Sequence, residues 1–363
     1  MFVKELEIVN YRNYEKAKVN FCSGTNIFYG KNAQGKTNLL EAVSLFSSGK
    51  SYRRVPDRNL INLEKDFTKI KVLFESYGCE KDAEILINKN KKFIKLCGSN
   101  LRKTSEILGV FKTVLFSPEE MYLVSGAPEL RRNFTDMLLS SEKPLYYSIL
   151  KKYYKILKQK NNLLKQNSSN IEKTLSIWNE ELADAAAKIM IYRNNLINEI
   201  CPAADKVFSE MTSDKEKFYI KYIPNVASED FSEEILRDKI LNNLNKKMSA
   251  EILLGTSVVG IHRDDMEFYI NDKNAKFFSS QGQQRTAIVA LKMAQAEMIY
   301  ENNEEYPIFL FDDIMSELDS ERRDYISQKI SGKQVIITCT DKYETSGNTK
   351  YFYVENGSVE ECI

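Results

Sequence analysis

Glycine spacing ahead of a lysine constrains this chain most: Gly30-Lys31-Asn32-Ala33-Gln34-Gly35-Lys36-Thr37 fits GxxxxGK[ST] at every fixed position. The pattern has meaning only between a strand and a helix. There its glycines let the backbone wrap closely, so that successive amides and the helix N-terminus point at phosphate oxygens. The flanks agree, since Asn26 to Tyr29 is a short apolar run and Leu39, Leu40, Val43, Leu45 and Phe46 recur at helical spacing. In that context Lys36 is expected between the outer phosphates of ATP and the Thr37 hydroxyl on a magnesium ion. Without those flanks the same octet would be a glycine turn with a surface lysine.

The second half of such a site is an apolar strand ending in an acid, and Ile308-Phe309-Leu310-Phe311-Asp312-Asp313 has that form. Asp312 is expected to bind Mg2+ through water, and Asp313 to orient or deprotonate the attacking water. Paired acids at a strand end also serve as plain turn or cap residues, and only the loop at Gly30 gives this pair its stronger meaning. A third element, Ser279-Ser280-Gln281-Gly282-Gln283-Gln284-Arg285, precedes the amphipathic run Ala287 to Met298. Alone, Ser280 with Gln283 is a capping box opening a helix from Gln281 to about Tyr300. Its place shortly before the acidic strand ties it to the nucleotide.

The remaining pattern divides the chain. Short strands fill the first 30 residues, and residues 69–97 alternate (Ile70, Val72, Phe74; Ile85, Ile87) around a hairpin-like break at Asn88-Lys89-Asn90-Lys91. From about Ser117 the period becomes helical, with a long helix through Leu150, Tyr153, Tyr154, Leu157 and Leu164 and a second through Ile177 to Ile200. Strand-like pattern returns beyond Leu253, at Met266–Ile270, Ile308–Phe311 and Val335–Ile337. The expected organisation is an α/β head split in sequence, 1–116 and 251–363, around an all-helical lobe at 117–250 whose heptads are too few for a long coiled coil.

Composition narrows the class. Lys and Arg number 52 against 51 Asp and Glu, a net charge of +1, so a polyanion partner must meet a local patch. The six cysteines show no CxxC spacing and His262 is the only histidine, which argues against a zinc site, a disulfide framework or a His-based triad. No stretch approaches the roughly 18 apolar residues of a membrane span. Met1-Phe2-Val3-Lys4-Glu5 carries no apolar signal region, so a cytoplasmic location is expected.

The Walker loop, the S-x-G-Q element and Ser316-Glu317-Leu318-Asp319 after the acidic strand together resemble the head of an ABC-type ATPase. The resemblance narrows with Asn10-Tyr11-Arg12-Asn13-Tyr14, the loop extended to Asn38, Phe116-Ser117-Pro118-Glu119-Glu120 and Leu123-Val124-Ser125-Gly126-Ala127-Pro128 with Arg131-Arg132. With Gly260-Ile261-His262-Arg263-Asp264-Asp265, these resemble the RecF family of bacterial recombination mediators, in order and over nearly the whole chain. The resemblance implies an SMC-like ABC-type P-loop ATPase head with an inserted, mostly helical second lobe and no long coiled coil. It further implies an ATP-dependent homodimer, weak DNA-stimulated ATPase activity, and action with RecR and RecO at single-strand gaps in recombinase loading and the SOS response. By motif match, Ser280 and Gly282, with Gln283 beside them, face the γ-phosphate held by the other protomer's Lys36. Asp319 lies near the seam, and Arg12 and Asn13 touch the nucleotide. Two departures stand out: Ile261 replaces the family's usual proline, and Thr338-Cys339-Thr340 stands where ABC transporters carry a switch histidine.

DNA contact is harder to read. Residues 151–173 hold seven lysines against one glutamate, which describes either a solvated helix face or a phosphate-contacting stripe. A transporter's nucleotide-binding subunit and a non-hydrolysing, nucleotide-stabilised scaffold are the competing classes.

Overall fold

The structure is a computed structural model that describes residues 1–166, 171–316, 318–343, 345 and 347–362. It divides into two compact units, Met1–Met121 with Ile288–Ile363, and Tyr122–Ala287.

In the first unit, β1 (Phe2–Tyr11), β2 (Tyr14–Asn20), β3 (Thr25–Tyr29), α1 (Lys36–Ser48), β4 (Phe67–Ser76), β5 (Cys79–Asn88), β6 (Lys92–Leu96), β7 (Ser99–Asn100) and β8 (Thr113–Phe116) follow one another. One antiparallel sheet runs β2-β1-β4-β5-β6-β7. Its first strand alternates imperfectly in sequence because the register shifts between Val3 and Glu5. That bulge lets Val3 and Leu6, three apart, both turn inward with Ile8. The β5–β6 turn falls on the Asn88–Lys91 break.

The other sheet receives the C-terminal segment, so that residues far apart in sequence meet at its strand ends. In the second unit lie α2 (Pro128–Glu142), α3 (Pro144–Leu164), α4 (Ile171–Thr212), β9 (Phe218–Ile223), α5 (Glu233–Leu254), β10 (Asp265–Ile270), β11 (Lys273–Asn274) and α6 (Ala275–Phe278). Then α7 (Gln281–Asn303) leads to β12 (Ile308–Asp312), α8 (Ser320–Lys329), β13 (Val335–Cys339), β14 (Thr349–Glu355) and β15 (Ser358–Cys362). The sheet order is β15-β14-β3-β13-β12-β8, parallel from β14 to β8. All five residues of β12 and of β13 are buried, as expected of central parallel strands covered on both faces.

Two expectations are corrected in the second unit. The boundary expected at residue 250 lies instead at Ala287, because β10 pairs with β9 and β11 and not with the nucleotide-loop sheet. The lobe is therefore not all helical: α3, α4 and α5 pack in succession beside a three-stranded antiparallel sheet.

Two of the motifs that carry the family resemblance form a latch inside this unit. Arg131 donates to both oxygens of Asp265 at 2.7 and 2.9 Å and to the Leu123 and Gly126 carbonyls, while Arg132 donates to the Asp264 carbonyl at 2.7 Å. Buried Arg193 reaches Asp136, Asp264 and the Ile261 carbonyl. The turn at Ile261 is thus fixed by hydrogen bonds where a proline would have stiffened it. Gly260 (φ +132°) is required there, since a Cβ would lie 2.2 Å from the Tyr153 hydroxyl.

His262 closes the latch, with Nδ1 2.7 Å from the Tyr153 hydroxyl and Nε2 3.3 Å from the Ser257 carbonyl. Burial lowers its pKa from 6.5 to about 4, with Arg263 and Arg132 adding to the effect and the Ser257 carbonyl and Glu251 opposing it. The unfolded chain takes up this proton near pH 6.5 and the folded chain only near 4. Stability from the neutral ring is therefore full above pH 6.5 and falls as pH drops towards 4, by about 3 kcal/mol at most. Denaturant titrations across that range are expected to show this slope, and His262→Gln to flatten it.

Candidate nucleotide site

The loop between β3 and α1 is shaped by its backbone. Gly30 (φ +144°) would place a Cβ 2.4 Å from the Val354 carbonyl, and Gly35 (φ +116°) would place one 2.7 Å from the Asn13 amide and the Tyr14 hydroxyl. Ala33 also takes positive φ, at 64°. Two hairpin turns grip the loop from outside. Asn13 Nδ2 donates to the Gln34 carbonyl at 2.8 Å, and the Asn356 amide donates to Gln34 Oε1 at 2.7 Å. Lys31, Asn32 and Ala33 are left exposed. α1 follows Gly35 at its N-cap, with no side-chain cap and no acid in its first turn, so its leading amides and dipole favour an anion.

Lys36 is buried against its own loop, donating to the Gly30 carbonyl at 2.5 Å and the Lys31 carbonyl at 2.8 Å. Burial lowers its pKa, while Asp313, Cys339, Asp312 and Asp341 favour the charged form. Thr37 and Asp312, 275 positions apart, meet: Thr37 Oγ1 donates to Asp312 Oδ1 at 2.8 Å. Thr338, opposite Asp312 in the parallel ladder, donates to the same oxygen at 2.9 Å, and the Tyr52 hydroxyl donates to Oδ2 at 2.8 Å. Asp313 takes positive φ, 59°, and its amide donates to Thr338 Oγ1 at 3.0 Å. Left-handed backbone is tolerated by Asp and Asn far better than by most residues, which suits an aspartate after the strand.

Tyr52 was not legible, because nothing in Ser51-Tyr52-Arg53 marks it. Glu41 carried a weak signal, an acid on the apolar face of α1. It is fully buried and accepts from Tyr11 at 2.8 Å, from Ser51, and from Arg12 at 2.8 and 3.0 Å. The Arg12 guanidinium, given a nucleotide contact by the resemblance, is thus taken up by Glu41 and by the Asn59 carbonyl at 3.0 Å. Asn13 touches the loop itself and accepts from Asn38 Nδ2 at 2.8 Å. Because Glu41 compensates a largely buried guanidinium, Glu41→Ala is expected to destabilise the fold by about 3 kcal/mol or more in urea titrations. A change below 1 kcal/mol would remove Glu41 from this role.

The Ser280 element opens α7 as a realised capping box: the Gln283 amide donates to Ser280 Oγ at 3.2 Å, and the Ser280 amide donates to Gln283 Oε1 at 2.8 Å. Ser280 is exposed, Gly282 half-buried, and Gln283 Nε2 reaches Glu216 at 2.5 Å. Asp319 caps α8 through the Arg322 amide at 2.9 Å, and Glu317 lies outside the described residues.

Among the described residues no group of three or more His, Cys, Asp or Glu side chains could hold a metal. A cation at Thr37 and Asp312 would meet a hydroxyl, a carboxylate and phosphate oxygens, a hard-oxygen set that suits Mg2+.

A family model described as the RecF/RecN/SMC N terminal domain matches residues 2–358. The DNA replication and repair protein RecF of Ruminiclostridium cellulolyticum is 39% identical over 374 residues, covering 100% of both chains. That of a Thermoanaerobacter species is 37% identical over 362 residues, covering 99% of each. A solved structure of the recombination mediator protein RecF with ATP superposes with a TM-score of 0.94 at 36% identity, over 100% of this chain and 98% of that one. An Smc head bound to the C-winged helix domain of ScpA reaches 0.57 at 13% identity, over 100% of this chain and 97% of that one, a likeness of fold alone. With the nucleotide-loop geometry intact and relatives matching end to end, the chain belongs to the RecF family of DNA replication and repair proteins.

Proposed function

We propose that this chain binds ATP with Mg2+, closes into a homodimer around it, and acts on DNA at single-strand gaps with RecR and RecO to promote recombinase loading and the SOS response. The observation that carries the reading is the Thr37–Asp312 contact beneath an uncapped helix start, which joins both halves of a phosphate and cation site. It is supported by a relative whose structure is described as RecF with ATP in the RecFOR pathway. When bound, Mg2+ neutralises charge on the β- and γ-phosphates. Lys36 and the amides of 30–37 bind the phosphates, and Asp313 orients the attacking water. Ser280 and Gly282 of the second copy then add contacts to the γ-phosphate alone, so ATP stabilises the dimer and ADP does not. Hydrolysis is a timer. Magnesium-dependent phosphate release stimulated by gapped DNA tests it; no stimulation would favour a nucleotide-stabilised scaffold. Full-length similarity to RecF proteins displaces the transporter alternative.

The basic run is thinner than its lysine count. Lys160 is fully buried against Glu251 at 2.6 Å, Lys152 pairs with Glu181 at 2.5 Å, and 167–170 lie outside the described residues. Exposed Lys151, Lys155 and Lys158 remain on α3 and Lys165 just past its end, with Tyr153, Ile156, Leu157 and Leu164 buried on its other side. Changing Lys151, Lys155 and Lys158 to Glu is expected to weaken DNA binding at least tenfold at low salt and to flatten its salt dependence, read by anisotropy. An unchanged salt slope would assign the run to solvation.

A further inference from the structure

We propose, resting on the shared-site reading above, that Glu216 is a positioning residue for the Ser280 helix start: through Gln283 it holds that start in the form that meets the γ-phosphate on the second copy.

Glu216 sits in the turn between α4 and β9, 67 positions from Gln283. A second turn fixes where its side chain goes. Asn271 and Asp272 join β10 to β11 with φ of 49° and 63°, the two left-handed residues of a tight hairpin turn. From that turn the Asn271 backbone amide donates to the Lys217 carbonyl at 3.0 Å, and the Lys217 amide donates to Asn271 Oδ1 at 2.9 Å. The β9–β10 ladder ends on the pair Phe218 and Ile270, so this clamp extends it by one more pair. Asn271 Nδ2 also donates to Glu216 Oε1, at 3.5 Å. Glu216 is half-buried beside the clamp, with its carboxylate turned to the start of α7.

At that start both ends of the Gln283 side chain are engaged. Its Oε1 accepts from the Ser280 amide at 2.8 Å, and its Nε2 donates to Glu216 Oε1 at 2.5 Å. A backbone amide only donates and an ionised carboxylate only accepts, so a flipped glutamine amide would set donor against donor and acceptor against acceptor. Glu216 therefore fixes which way Gln283 faces, and Gln283 fixes Ser280. The neighbouring glutamines do not share this link: Gln284 Nε2 donates to the Ala275 carbonyl of α6 at 3.2 Å, and Gln281 is exposed. The Ser280 hydroxyl accepts from the Gln283 amide at 3.2 Å, which leaves its own proton to give to a phosphate oxygen. A donor held in place before the anion arrives loses less freedom on binding. Because Ser280 acts on the partner's nucleotide, that gain belongs to the ATP-bound dimer and not to ATP binding by one chain.

The experiment measures dimerisation by sedimentation at saturating ATPγS and Mg2+, beside ATPγS affinity at dilutions where the chain is single and the unfolding midpoint. Glu216→Ala is expected to weaken the dimer about tenfold per site, or about a hundredfold over the two sites of a symmetric pair. Single-chain ATPγS affinity stays unchanged and the midpoint nearly so, since the side chain is only half-buried. Glu216→Gln keeps an acceptor at the same reach and is expected to restore the dimer. Gln283→Ala should weaken it as much as Glu216→Ala, and the two together no further, because one acts through the other. Wild-type dimerisation in Glu216→Ala, no restoration in Glu216→Gln, additive losses with Gln283→Ala, or an equal loss of single-chain affinity would overturn the assignment while leaving the shared site standing. If the wild-type chain does not dimerise with ATPγS, or Ser280→Ala dimerises as well as wild type, the shared-site reading itself fails and the role of Glu216 with it.

Discussion

Lys36→Met is expected to lower ATP affinity about a hundredfold, with the fold retained. The methionine keeps an unbranched apolar stem of similar length but removes the ammonium, and with it charge-assisted hydrogen bonds to phosphate worth about 1.5–3 kcal/mol each. One or two such bonds convert to about ten- to ten-thousandfold, and a hundredfold is the central expectation. The cost to stability should be small, because the lost bonds to the Gly30 and Lys31 carbonyls are offset by relief of a buried charge. Calorimetric titration with ATP, beside thermal unfolding without nucleotide, separates the two effects. Undiminished affinity in a folded variant would show that the loop does not hold the triphosphate.

Asp313→Asn is expected to slow hydrolysis at least a hundredfold while leaving ATP binding near wild type, so that the ATP-bound dimer accumulates. General-base assistance typically contributes about 10²–10⁴ in rate, and the amide cannot take the proton. The substitution tests chemistry and not backbone, since asparagine tolerates the left-handed conformation that Asp313 occupies. An aspartate here is also one methylene shorter than the glutamate usual in transporters, from which slow turnover is predicted for the wild-type chain. Single-turnover phosphate release and the persistence of the dimer after dilution are the readouts. Unchanged hydrolysis, or a dimer that fails to accumulate, would take Asp313 out of this role.

Much of the nucleotide-loop side was legible because its signals are local. Glycines at fixed spacing, a helix period and a fully apolar strand each read over a few residues, and Asn26–Tyr29, Leu39–Phe46 and Ile308–Phe311 all form the elements their patterns predict. What escaped depends on strand pairing. Tyr52 is indistinguishable from a loop aromatic until β12 brings Asp312 to it, and the boundary at Ala287 depends on β10 choosing β9 as its neighbour. Phe218–Ile223 alternates only briefly among helices and gave no warning of a strand. The lysine run was only partly legible for a related reason: charge counts do not show that Lys160 meets Glu251 in the interior. Arg12 and Glu41 make the same point, since only the fold shows the guanidinium turned to α1.

The central claim is that two copies of this chain complete each other's ATP pockets, each adding its Ser280 helix start to the triphosphate its partner holds. The direct measurement is the molar mass of the wild-type protein by light scattering at saturating ATP and Mg2+, without DNA and with gapped DNA whose own mass is subtracted, against ADP and against no nucleotide. Twice the chain mass of 42.0 kDa with ATP, and single-chain mass with ADP, is the predicted result. A chain that binds ATP yet stays at its single mass in every condition would contradict it.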